Sequence, residues 1–148
     1  MKKVLFLILV IVAGSTYTSN AQIRKIPAEV TNAFSEKYAD AKNVEWKDKL
    51  SNFVAAFELD GNKYEARFNK KGEWLNTENE LDIDDLTDNV KEGLGKSKYA
   101  DWEIKSLHRI ELPEDKIQYR VHVAKTSVQQ KNLLFNESGK LLKDNLTL

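Results

Sequence analysis

Two histidines, a run of acidic residues and three tryptophans are the side chains in this chain best equipped for chemistry. His108 and His122 are the only imidazoles in 148 residues. A catalytic zinc centre usually takes three protein ligands, and neither histidine has such a set at metal-binding spacing. Both lie in segments of alternating polarity, His108 on the apolar parity and His122 on the polar one. The alternation therefore predicts that they point to opposite faces of a sheet. Asp82, Asp84, Asp85 and Asp88 crowd one short stretch, but they lack the central glycine and terminal glutamate of a calcium loop. Negative charge at a helix start is their simpler use. Glu78 and Glu80 are spaced as a carboxylate pair, yet acid–base work needs a pocket that shifts their pKa, and a linker does not make one. No Gly-x-Ser-x-Gly elbow and no glycine-rich phosphate loop occurs. The absence of cysteine removes thiol chemistry and Cys-zinc sites. The residues predict no catalytic set, no metal and no cofactor, and so a protein that is not an enzyme.

What remains are surfaces. Charged side chains on the polar parity of several strands define a candidate protein-binding face, represented by Lys47, Glu65, Arg67, Lys105, Arg109, Arg120 and His122. Cross-strand charge pairs stabilise a sheet by roughly 0.2–1 kcal/mol each, so an ordinary solvated face explains them equally well. Trp46, Trp74 and Trp102 lie on or near strands and form a candidate aromatic patch at a junction of units. Core packing is the plainer use of such residues, and an interface the functional one.

These residues are positioned by a pattern that occurs twice. Phe68-Asn69-Lys70-Lys71-Gly72-Glu73-Trp74-Leu75 returns as Phe135-Asn136-Glu137-Ser138-Gly139-Lys140-Leu141-Leu142, an offset of 67. Upstream, Ile26-Pro27 with Val30 and Phe34 returns as Leu86-Thr87 with Val90 and Leu94, an offset of 60. Each copy is one set of elements that must pack on its twin. A helix is predicted over residues 27–38, with Pro27 in the first turn and Val30, Ala33, Phe34 and Tyr38 on one stripe. Strands follow, carrying Val44 and Trp46, then Phe53, Ala55, Phe57 and Leu59, then Tyr64, Ala66 and Phe68 on inward parity. Asp60-Gly61 is a tight hairpin signal, and Trp74-Leu75 opens a fourth strand. Residues 79–88 read as an acidic linker into a second helix, from about Asp84 or Thr87 to Lys96, which Gly93 and Gly95 weaken by about 1 kcal/mol each. In the next strand Trp102, Ile104, Ser106, His108, Ile110 and Leu112 share the inward parity, with Leu107 as the exception. Residues 113–116 make a turn, and Ile117, Tyr119, Val121 and Val123 face inward. Two more strands, over residues 127–135 and 140–146, complete the set. The fold class is α+β. Two tandem helix–four-strand units form an antiparallel sheet, with the helices packed on one face and the other face exposed.

The N-terminus has a different purpose. Lys2 and Lys3 precede ten apolar residues, 4–13, and small side chains before Gln22 complete an export-signal layout with a cut after Ala21. Ten residues are too few to span a membrane, which takes about 17–25. With no cysteine at the cut, a lipid anchor is excluded. The predicted mature chain, residues 22–148, is one domain, with units at about 24–80 and 84–148. It holds 21 basic residues, the 23 of the whole chain less Lys2 and Lys3, against 23 acidic. That balance excludes nucleic acid and anionic membrane as partners.

The pattern resembles a known family. Ile26-Pro27 with Val30 and Phe34 ahead of Trp46, then residues 53–60, 64–68 and 69–72, is similar to the PepSY-like proteins of the beta-lactamase-inhibitor-like group. The second unit matches through Val90, Leu94, Trp102 and residues 135–139. The resemblance covers the mature chain and implies a periplasmic or secreted, non-catalytic protein that binds or inhibits another protein. It supplies no site residues. The leading expectation is an exported module binding an envelope protein, peptide or peptidase through the exposed sheet face and the turns at Asp60-Gly61 and residues 113–116. The alternative is a carrier of a small molecule or envelope ligand, with a pocket between the units near the tryptophans.

Overall fold

The computed structural model describes residues 25–146, with the side chain of Leu146 left aside. The predicted export signal and its cut lie outside the described residues. The elements are α1 (Ala28–Lys37), β1 (Lys42–Lys49), β2 (Asn52–Leu59), β3 (Asn62–Asn69), β4 (Trp74–Leu81), α2 (Asp88–Gly95), β5 (Glu103–Leu112), β6 (Lys116–Ala124), β7 (Gln130–Asn136) and β8 (Leu141–Leu146). All eight strands form one antiparallel sheet in chain order, β1 to β8. The fold is the expected α+β arrangement, with two helices serving one open sheet.

Each helix forms its own core against its own four strands. Val30 and Phe34 of α1 bury against Phe53, Ala55, Phe57, Ala66 and Phe68. Val90 and Leu94 of α2 bury against Leu107, Tyr119, Val121, Val123, Leu133 and Phe135. Complete burial of a side chain such as Phe68 or Phe135, both at zero exposure, stabilises by about 1.5–3 kcal/mol. The helices are short, at 10 and 8 residues, so packing of their apolar stripes rather than intrinsic propensity holds them.

The sequence repeat has a direct structural cause. Gly72 and Gly139, both at φ near +80°, close the β3–β4 and β7–β8 turns against the helix starts. A Cβ on Gly72 would lie 2.5 Å from the Glu29 carbonyl oxygen, and one on Gly139 would lie 2.0 Å from that of Asn89. These two contacts are related by the same offsets, 67 and 60, that relate the sequence copies. The asparagine opening each turn is fixed by its own geometry. Asn69 Oδ1 accepts hydrogen bonds from the backbone N–H of Lys71 and Glu73, and Asn136 Oδ1 accepts that of Lys140.

The strands depart from the sequence expectation in three places. The ladder shifts between Ile104 and Ser106, leaving Lys105 as an extra residue. A one-residue bulge inverts the parity of everything beyond it. Leu107, Arg109 and Glu111 therefore turn to the helix side, while Ser106, His108, Ile110 and Leu112 turn to the open face, the reverse of the alternation count. Leu107 is the residue that signalled it. The acidic linker is also shorter than expected. β4 runs to Leu81, because Glu80 and Leu81 pair with His108 and Leu107 of β5, and a 3-10 turn at Ile83–Asp85 precedes α2. Lastly, β7 begins at Gln130 rather than residue 127, and Lys131, opposite Val123, lies on helix-side parity.

Gly93 lies against the same turn as Gly139, and a Cβ there would meet the Gly139 carbonyl oxygen at 1.9 Å. Backbone cannot yield as a side chain does. Gly93→Ala is therefore expected to cost about 2 kcal/mol or more in chemical denaturation. Gly95→Ala, with nothing within 4 Å, is expected to gain about 0.5 kcal/mol through the unfolded chain. Equal melting of the two variants would refute this helix–turn contact.

Candidate functional site

The face opposite the helices carries an ordered array of charge. Register places Glu45, Ala56, Glu65, Glu78 and Ile110 side by side across β1 to β5. The neighbouring row runs Glu80, His108, Arg120, Leu134 and Lys143 across β4 to β8. Ala56 is small between two glutamates, so the surface sinks there. A groove of about 620 Å³ results, lined by Glu45, Glu58, Lys63, Glu65, Glu80 and His108 among others. A second hollow of about 300 Å³ adjoins it over β4 to β8 and shares Arg120.

Glu78 is the central residue. Its side chain is 8% exposed, and its two oxygens receive Arg67 Nη2 at 2.7 Å and Arg120 Nη2 at 2.5 Å. Arg67 belongs to β3 and Arg120 to β6, so one carboxylate links the two units. Burial pushes the Glu78 pKa up, but the hydrogen bonds and charges of both arginines outweigh it and hold the group below its ordinary value. With both oxygens engaged, Glu78 is a strut and a poor proton acceptor. Glu65 takes Lys47 at 3.0 Å and Arg67 at 3.9 Å, which extends the network towards β1.

His108 lies next to this network, half-buried. Burial lowers its pKa, the Arg120 charge lowers it further, and nearby Glu78, Glu80 and Glu65 offset part of that. The imidazole is neutral at pH 7 as a result.

The residues expected on a docking face divide as follows. Lys47, Glu65, Arg67, Arg120 and His122 share the open face. His122 stands opposite Ser106, its Nε2 3.0 Å from Gln130 Oε1. Lys105 occupies the bulge, with its ammonium 2.7 Å from Glu103. Arg109 does not belong to this face. It pairs with Asn79 and Tyr119 on the helix side, where its guanidinium is 3.5 Å from Glu111. His108, expected inward and apart from His122, is on the same face as His122. The bulge accounts for both corrections. Glu78 was missed as a bridge because the sequence reading places it, with Glu80, at the edge of a linker rather than inside a strand. Its flanking alternation with Asn76 and Glu80 was the available signal.

The tryptophans serve two cores rather than one junction patch. Trp46 meets Phe34 edge-on at 5.3 Å, and Trp74 lies under the Lys37 ammonium at 3.8 Å and donates Nε1–H to Thr77 Oγ1 at 2.9 Å. Trp102 meets Tyr99 edge-on at 5.1 Å in the second core. Among the described residues no group of three or more His, Asp or Glu is arranged to hold a metal, and no helix is long and apolar enough to cross a membrane.

The strut predicts an acid-sensitive fold. Glu78 has a folded pKa below its unfolded one, so its contribution is present above the ordinary carboxylate range and is lost as pH falls through the folded value. His108 is also lowered, so its contribution is lost as pH falls through the histidine range, nearer neutrality. Glu78→Gln is expected to cost about 2 kcal/mol at pH 7, less than the roughly 3–5 kcal/mol of a fully buried pair because each arginine remains 33% exposed. The variant should also flatten the acid limb of a stability–pH curve measured by urea denaturation. An unchanged curve would show the strut to be inert.

Three solved structures share this architecture. A DUF2874 family protein of Bacteroides ovatus is 26% identical at TM-score 0.75, covering 81% of this chain and 86% of its own. A BLIP-like protein of Bacteroides fragilis is 28% identical at TM-score 0.73, covering 82% and 86%. A candidate periplasmic protein of Bacteroides eggerthii, 21% identical at TM-score 0.73 over 81% and 88%, carries the fold alone. No curated protein matches the chain. The PepSY-like family profile, described as beta-lactamase-inhibitor-like, matches residues 51–143. That match runs from β2 into β8, more than half of the chain, and the chain belongs to the PepSY-like, beta-lactamase-inhibitor-like family.

Proposed function

We propose that this protein is an exported, non-catalytic binding module that docks an exported or envelope protein on its open sheet face. The observation that carries this reading is the Glu78 strut. A buried carboxylate taking one arginine from each unit fixes a charged surface that no helix covers. Charged rims of that kind steer association and select partners. The likeness to a BLIP-like protein suggests the sharper form, inhibition of an exported hydrolase, which rests on analogy of fold. Export rests on the pattern of residues 1–21.

Carriage of a small ligand is the less favoured reading. Carrier pockets are mostly apolar. The groove of about 620 Å³ is ringed by carboxylates and cations instead, and the tryptophans are committed to the cores.

Photo-crosslinking tests the docking face. A crosslinking amino acid replaces Lys47, Glu80 or His122 on the open face, or Glu36 or Lys91 on the outer side of the helices. In cells that express the protein, the open-face positions are expected to trap one and the same protein, and the helix positions none. Adducts confined to the helix positions, or none at any position, would overturn the reading.

A further inference from the structure

We infer that the open face takes an extended, lysine- or arginine-bearing segment of its partner, laid across the strands. This rests on the docking reading and names what that face recognises. The two hollows share Arg120 and lie in succession along a path across the open face from β1 towards β8. Seven inter-strand gaps of about 4.8 Å make it roughly 33 Å long, enough for about ten extended residues. A single small cation would fill only one end.

The ends differ in chemistry. The groove over β1 to β5 is lined by five carboxylates, Glu45, Glu58, Glu65, Glu78 and Glu80, against three cations, Lys63, Arg67 and Arg120. Both arginines are committed to Glu78, so they offer little to an incoming anion. Glu45 and Glu80 are exposed and form no ion pair among the described residues. Its excess is negative, and the complementary ligand is cationic.

The hollow over β4 to β8 is lined by four amides, Asn76, Gln118, Asn132 and Asn145, and by apolar Ile110, Leu112 and Leu134, with Lys143 and the Glu78-bound Arg120 as its charged groups. An amide side chain both donates and accepts, as a peptide bond does. One end therefore suits basic side chains and the other suits peptide backbone with an apolar side chain. A basic polypeptide segment satisfies both.

The probe is an N-acetylated, C-amidated peptide of about nine residues, lysine alternating with threonine over one half and leucine alternating with threonine over the other, titrated calorimetrically at low salt. Its glutamate counterpart and spermine are the controls. Binding of the lysine peptide alone is expected, weakened about ten-fold or more by Glu45→Lys with Glu80→Lys, whose melting is unchanged, and also by Leu134→Ser. Equal binding of both peptides, spermine as tight as the lysine peptide, or no effect of the Glu45/Glu80 pair would overturn the inference. No binding of the lysine peptide while open-face crosslinks persist would overturn this inference and leave the docking reading standing. Loss of both would overturn both.

Discussion

Glu78 takes Arg67 from the strand before it and Arg120 from two strands after it, and the open face is arranged around that contact. The buried residues of each core come from one unit and only the half-buried Leu81 of β4 reaches the second core, so the cores do little to orient one unit's open face against the other. Backbone pairing of β4 with β5 joins the units, and the carboxylate ties their side chains together across that seam. Desolvating a carboxylate is costly, and two charge-assisted hydrogen bonds offset that cost. A buried ion bridge of this kind is weak evidence for net stability. Its clearer consequence is a fixed arrangement of side chains, which a docking surface needs.

The same contact organises the chemistry of the face. Because both arginines point at Glu78, the carboxylates of Glu45 and Glu80 are left to set the sign of the groove. His108, beside Arg120 and half-buried, stays neutral and adds no charge there. Family membership is consistent with this picture at the level of fold. The relatives share architecture at identities of 21–28%, a level at which surface side chains need not agree.

Much of the fold was legible beforehand, for local reasons. Helix stripes, the Asp60-Gly61 hairpin and the Asn-to-Gly turns all depend on residues within a few positions of one another. Asp60 and Gly61 both adopt positive φ as that turn requires. The repeat was legible because Gly72 and Gly139 each press against a helix start where a Cβ would clash, which restricts both positions to glycine in the same way. The site was legible only in part. Lys47, Glu65, Arg67, Arg120 and His122 lie on the face expected of them. Arg109 and His108 do not, because the bulge at Lys105 shifts the alternation by one residue. A period-two count registers an inserted residue only as a lone exception, here Leu107, when the neighbouring side chains are of mixed polarity.

The sequence by itself determined the element order, the twofold repeat, the single-sided burial and the family, since these follow from spacing along the chain. Only the tertiary structure decided which charges meet. Glu78 lies 11 residues from Arg67 and 42 from Arg120, and register across three ladders brings them together. Register is a property of paired strands. No single strand's sequence contains it, so the bridge and the groove beside it appear only once the sheet is assembled.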